Sequence, residues 1–140
     1  MASIAEQVAE NRTVAELIVA DELHFDNVNK LFSITNIRNH IVVERIPCVV
    51  IASLWVKLWL SEADRCESVY WLILNERNEV LWFDENREIR NMRQPPMRAG
   101  IDFGRQIRFR IDLPGNYAIR LFGNSRVLAE YPVYVALNAE

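Results

Sequence analysis

The hydrophobic pattern has a period of two residues along most of the chain. From Cys48 to Leu60 the even positions (Cys48, Val50, Ala52, Leu54, Val56, Leu58, Leu60) are all apolar, and the odd ones mix Val49, Ile51 and Ser53 with Trp55, Lys57 and Trp59. One unbroken apolar face beside a mixed one marks a strand packed on a core, not a helix. Arg105–Leu113 repeats the pattern: Ile107, Phe109, Ile111 and Leu113 alternate with Gln106, Arg108, Arg110 and Asp112. Tyr117, Ile119 and Leu121 then alternate with Ala118, Arg120 and Phe122.

Turn signals separate these runs. Asn75-Glu76-Arg77-Asn78 divides Val69–Leu74 from Val80–Asp84 and predicts a hairpin, with asparagine available for a positive φ. Pro114-Gly115 suits the central positions of a type II turn, and Gly123-Asn124-Ser125 leads into Val127–Leu137. Upstream, Asp26-Asn27-Val28-Asn29 separates Ala15–Ala20 from Leu31–Ile37, and a short run, Ile41–Arg45, ends at Pro47. Residues 85–99, with Pro95-Pro96, read as one long polar connection. Ser3 and Glu6 have the spacing of a capping box, which predicts a short helix over residues 3–11. About eight strands at this spacing predict an all-β, antiparallel, immunoglobulin-like sandwich over residues 14–138. A helical or irregular extension, residues 1–13, precedes it.

Two blocks carry a family resemblance. The first is Ala20-Asp21, a turn, then Lys30-Leu31-Phe32-Ser33-Ile34-Thr35-Asn36-Ile37. The second is Leu113-Pro114-Gly115-Asn116-Tyr117, continuing to Leu128-Ala129-Glu130-Tyr131-Pro132-Val133-Tyr134-Val135. Over roughly residues 15–136 the chain resembles a family of small bacterial β-sandwich proteins known only as a domain of unknown function. The resemblance implies the sandwich fold and a cytoplasmic bacterial protein, and it transfers no catalytic residue. One departure is Thr35-Asn36-Ile37, where the family pattern has a glycine before the hydrophobic residue. Apart from the resemblance, a tyrosine two residues after Gly115 predicts a tyrosine corner, the ring of Tyr117 buried and its hydroxyl returned to a nearby backbone group.

Composition mainly excludes. At 140 residues and 51% hydrophobic content the chain can bury a core without disulfides or metal. The most apolar stretch, residues 48–60, contains Lys57 and falls short of the ~20 residues of a membrane-crossing helix, so no membrane is expected. The N-terminus lacks the basic and apolar regions of a secretory signal. Cys48 and Cys66 form no CxxC pair and are expected to be reduced, Cys48 buried on the apolar face of its strand. No glycine-rich phosphate loop, GxSxG or HExxH occurs. Asp21, Glu22, His24 and Asp26 are the only dense set of metal-ligating residue types, but a solvated strand end running into a turn explains them. No base can be assigned to either cysteine, His40 reads as a strand-edge residue, and Asp84-Glu85 sit where a hairpin exit ordinarily carries acids. No catalytic residue, cofactor or metal is therefore expected.

Two surfaces remain. Trp55 and Trp59 share the outward face with Lys57, and large rings on an outer face are usually covered. The cover is residues 1–14 or 85–99 of the same chain, an oligomer interface, or a sugar stacked on the rings. Trp71 and Trp82 fall on facing strands and read as core or cross-strand partners. The formal charge of −3 conceals an asymmetry: residues 86–110 hold seven arginines against Glu88 and Asp102, so the remainder carries −8. Arg87, Arg90, Arg93 and Arg98 decorate the long connection, Arg108 and Arg110 face outward on a strand, and Arg105 faces inward. The arginines are expected to pair with the chain's own acids or with those of a second copy; nucleic acid is the alternative, disfavoured by the acidic whole. The expectation is a non-catalytic protein-interaction or structural module, self-associating as a homo-oligomer, with Trp55, Lys57, Trp59 and these arginines as contact residues. Alternatives are a ligand-binding protein or enzyme with a pocket at the sandwich loops, and anionic-ligand or nucleic-acid binding through the arginines.

Overall fold

The period-two segments are strands, nine of them, in a computed structural model that describes residues 3, 6, 12–62, 67–123 and 125–138. They are β1 (Val14–Asp26), β2 (Leu31–Ile37), β3 (His40–Val43), β4 (Cys48–Trp59), β5 (Glu67–Leu74), β6 (Val80–Ile89), β7 (Gly100–Ile111), β8 (Gly115–Gly123) and β9 (Arg126–Leu137). Two sheets, ordered β2-β1-β4-β7 and β3-β9-β8-β5-β6, pack face to face as a β-sandwich. The expected apolar faces meet between them. Leu54, Val56 and Leu58 from β4 and Ile107 and Ile111 from β7 are wholly buried against Trp71, Ile73, Ile119 and Leu121. Trp71 and Trp82 are cross-strand neighbours, with ring centroids 6.3 Å apart.

Three details differ from the sequence reading. The short run before Pro47 pairs parallel to β9, His40 opposite Tyr134, so the sandwich is not wholly antiparallel. The connection expected over 85–99 is shorter, because β6 continues to Ile89 and β7 starts at Gly100. A register shift permits this: Val69 pairs with Asn86 but Glu67 with Ile89, and the extra residue turns Ile89 into the core. Cys48, expected to be buried, is only partly so, because it lies at the end of its strand where the core thins.

The turns follow their residue chemistry. Asn78 takes φ 61° in the β5–β6 hairpin, and Gly115 takes φ 143° as the chain enters β8. Asn36, where the resembled family has glycine, takes φ 54°, a conformation asparagine tolerates better than other side chains. Ser3 and Glu6 exchange the two capping-box hydrogen bonds, 2.9 and 3.1 Å, while the rest of the expected helix lies outside the described residues. The Tyr117 ring is buried and its hydroxyl donates to the Leu113 carbonyl at 2.5 Å, the expected tyrosine corner. Burial lifts the Tyr117 pKa above the ordinary tyrosine value. Tyr117→Phe is expected to cost about 1 kcal/mol, since it leaves the Leu113 carbonyl without this donor; urea unfolding with an unchanged m value would measure it.

Candidate interaction surface

The outer face of the four-stranded sheet is organised around Lys57. Its neighbours two positions away on β4, Trp55 and Trp59, stand on the same face. The Lys57 ammonium lies 5.6 Å from the centroid of one indole and 5.5 Å from the other. On β7, directly opposite, Asp102 accepts a hydrogen bond from Lys57 Nζ at 3.2 Å and one from Arg93 Nη2 at 2.8 Å. The Arg93 guanidinium in turn lies 5.9 Å from the Trp59 ring, and its side chain is only 8% exposed. A single carboxylate thus holds two cations against two indoles. Gly100 allows this closeness: a Cβ there would stand 2.0 Å from the Leu58 carbonyl oxygen and 2.8 Å from Arg93 Nη1.

The other tryptophan is covered by a hairpin. β1 pairs with β4 from Val14↔Trp59 to Ala20↔Ser53 and then parts from it, remaining paired with β2 alone. This arm bends across the outer face. Phe32 meets Trp55 edge-on at 6.5 Å, and Leu23 packs over Gly104, where a Cβ would be 2.7 Å from Leu23 Cδ1. The Trp55 indole N–H is buried there without an acceptor among the described residues. Asp21 fixes the hinge: it receives a bidentate pair from Arg38, at 2.8 and 2.9 Å, and a third hydrogen bond from Asn36 at 2.9 Å. The Arg38 and Asn36 hydrogen bonds hold the Asp21 pKa below the ordinary 3.8. Asp26 is lowered likewise by the side chain and backbone of Asn29 and the backbone of Val28, which close the arm's turn.

Two openings result from the departure of β1. Between the arm and β7 lies a groove of about 520 Å³, walled by Leu23, Phe25 and Phe32 and floored by Gly104. On the opposite side of the arm, residues 48–52 of β4 have no described strand on their β1-side edge. A second groove of about 330 Å³ runs along that edge, with Asp21, Arg38 and His40 on its far wall. Val49 and Ile51, on the outer face of this stretch, are 59% and 57% exposed, and they pair across to Arg110 and Arg108.

The sequence candidates therefore do not form one surface. Lys57, Trp55, Trp59 and Arg93 are engaged with one another and with the chain's own cover. Arg108 and Arg110 lie at the other end of the same face, where Arg110 pairs with Asp112 at 2.7 Å. Arg90 and Arg98 are exposed on the connection, and the Arg87 side chain lies outside the described residues. Arg105 turns inward at the sheet edge, as its parity predicts, lying 6.0 Å over Trp71 and 5.7 Å over Phe103. Pairing with the chain's own acids accounts for Arg93 and Arg110; no described carboxylate pairs with Arg90, Arg98, Arg105 or Arg108. Of the metal-type cluster, Asp21 and Asp26 are occupied as above, and no metal-ligating group of three forms among the described residues. His40 stacks on Tyr134, ring centroids 5.8 Å apart. Cys66 lies outside the described residues. Sequence reasoning missed Leu23, Phe25, Phe32 and Gly104; the signal for the first two was apolar alternation in a stretch read as a solvated strand end. It also gave no weight to the outward row Phe122–Tyr70–Phe83, where Tyr70 and Phe122 stack at 4.9 Å.

No protein-family model matches the chain, and no curated protein matches it. Solved structures share its architecture at low identity. The alkylpurine DNA glycosylase AlkC of Pseudomonas fluorescens, bound to DNA containing an abasic site analog, aligns at 10% identity and TM-score 0.45 over 95% of this chain; the match spans 33% of the glycosylase. The CARDB domain of the PF1109 protein from Pyrococcus furiosus aligns at 12% identity and TM-score 0.44, covering 89% of this chain and 96% of the domain. An immunoglobulin-like protein, PA1606 of Pseudomonas aeruginosa, aligns at 11% identity and TM-score 0.36, with coverage of 89% and 96%. These likenesses concern the fold alone.

Two outcomes are expected of this surface. Asp102→Asn should destabilise by about 2 kcal/mol, because Arg93 is largely buried and loses its charge partner. Lys57→Met should cost under about 1 kcal/mol, since Arg93 still neutralises Asp102; urea unfolding read by tryptophan fluorescence compares the two. Asp21 stabilises the folded chain as the carboxylate, so its contribution is present above its unfolded pKa and is lost as pH falls through the lower folded value. Asp21→Asn is therefore expected to melt below wild type at neutral pH, with the gap closing only below pH 3.8. A gap that persists undiminished in acid would contradict this.

Proposed function

We propose that the chain is a non-catalytic protein-interaction module that self-associates, and that the contact is the stretch of β4 that β1 vacates. The observation that carries this reading is an apolar strand edge, residues 48–52, to which no described strand pairs on the β1 side, with Val49 and Ile51 exposed on its outer face. Strand edges ordinarily carry a device against pairing, such as a charge turned inward or a proline. The outer edge of β7 has one in Arg105, whose guanidinium an added strand would have to bury. Residues 48–52 carry neither charge nor proline.

Two copies related by a two-fold axis at Val50 would pair these edges antiparallel and set Val49 of each against Ile51 of the other. The four-stranded sheets would then run on as one, with Arg108 and Arg110 bordering the apolar strip on each side. The tryptophan face gives this reading little support, since Trp55 and Trp59 are partly covered within the chain. The non-catalytic part is supported by the engagement of one acid that shares a groove with an imidazole. Asp21 and His40 share a groove wall, but both Asp21 oxygens are held by Arg38 and Asn36. The cytoplasmic bacterial setting that the family resemblance implies belongs to the same reading.

Sedimentation velocity at tens of micromolar tests it. A concentration-dependent dimer is expected, lost in Ile51→Lys without change in melting temperature and kept in Trp59→Ser. A monomer at every concentration, or a dimer indifferent to Ile51→Lys, would overturn it.

A further inference from the structure

The groove under the arm lies on the other side of the hairpin from the β4 edge and stands independently of any self-association. Its walls are apolar and partly unused. Phe25 and Phe32 pack against each other at 4.8 Å, yet Phe25 remains 43% exposed at the groove mouth. An opening of about 520 Å³ is within the size range of sites for small organic molecules. Gly104 lies at the floor, where its missing side chain lets Leu23 of the arm pack close to β7.

The polar groups at the rim are not balanced in charge. Asp102 lines the groove but is already shared by Lys57 and Arg93. Arg105 lines it too, exposed, with no described carboxylate as partner. Asp102 is thus already neutralised by Lys57 and Arg93, whereas Arg105 brings an uncompensated charge beside an aromatic wall. Gln106 adds an amide that no described residue hydrogen-bonds, and the Ser53 hydroxyl adds a further polar group. A guanidinium without a carboxylate partner favours an anionic carboxylate, and the ring wall favours a flat apolar body.

We propose that this groove binds a planar, apolar monoanion of the aromatic carboxylate class. The ring lies against Phe25 and Phe32, and the carboxylate takes its hydrogen bonds from Arg105 and Gln106. The arm is then one wall of the site as well as the cover of Trp55, and Gly104 is where ligand and arm both approach the strand.

Two probes separate charge from shape: 2-naphthoate and the neutral 2-naphthamide, titrated into the isotope-labelled full chain and followed by amide chemical shifts. Naphthoate is expected to give saturable shifts centred on Gly104, Gln106 and Phe25, with a dissociation constant about 10-fold below that of the amide. Arg105→Gln should erase that preference while leaving the melting temperature near wild type. Phe25→Ser, which alters an already exposed ring, should weaken both probes together. Equal affinities for the two probes, shifts centred elsewhere, or no saturable shift up to the solubility of naphthoate would each overturn the proposal. The Ile51→Lys variant should bind naphthoate as wild type does, so failure of the self-association reading leaves this test intact.

Discussion

β1 cannot satisfy two neighbours along its whole length, and much of the molecule's outer face is arranged by where it changes from both to one. Backbone donors and acceptors in a sheet need partners on each exposed side or access to water. β1 meets that requirement with β4 through Ala20 and thereafter with β2 alone. The divergence lifts a two-stranded arm off the sheet. A bare hairpin is marginal in water, and this one is held by what it lands on: Trp55, Gly104 and, at the hinge, the Asp21–Arg38–Asn36 cluster. The covered tryptophan, the groove beneath the arm and the bare edge of β4 all follow from that single parting.

The charge distribution has a comparable economy. The sequence concentrates arginine between residues 86 and 110, but the fold disperses it to both ends of one sheet face, to the connection and to the sheet edge. At one end, Asp102 collects Arg93 and Lys57 into a stack with the indoles, a use of cations that is structural first. At the edge, Arg105 folds over Trp71 and Phe103 along the unpaired side of β7. At the far end, Arg108 flanks apolar residues that nothing in the described chain covers. Arginines adjacent in sequence therefore have separate physical roles, and a net charge computed over the segment describes none of them.

How much of this could be read from sequence depends on which interaction set each feature. The sheet faces were legible because alternation is a local property: Leu54, Ile107 and Ile119 declare their side by their neighbours. The tyrosine corner at Tyr117 and the positive φ at Asn78 were legible for the same reason. The course of β1 was not, because Leu23 and Phe25 alternate as core residues do, and only the parting from β4 at Ala20 places them on the outer face. The continuation of β6 to Ile89 was hidden by a one-residue register shift against β5, which no pattern in either strand announces. The cover expected for Trp55 and Trp59 within the chain was residues 1–14 or 85–99. Arg93 came from the connection, but Phe32 came from a strand assigned to a sheet. Parity along one strand says which face a side chain takes; it cannot say that another strand will fold over that face.

The parallel pairing of β3 with β9 bears on the order in which the molecule can assemble. His40 and Tyr134 are ninety-four residues apart in the chain, among the most distant partners in the fold. Closing so long a loop is entropically costly, and such contacts tend to form late. During synthesis from the N-terminus, β1, β2, β4 and β7 can complete one sheet before β9 has left the ribosome. Throughout that interval β3 has no strand to join, and the His40 part of the groove wall beside residues 48–52 is not yet in place. The growing chain thus exposes its least protected edge for longest, at the stage when neighbouring nascent chains are nearest.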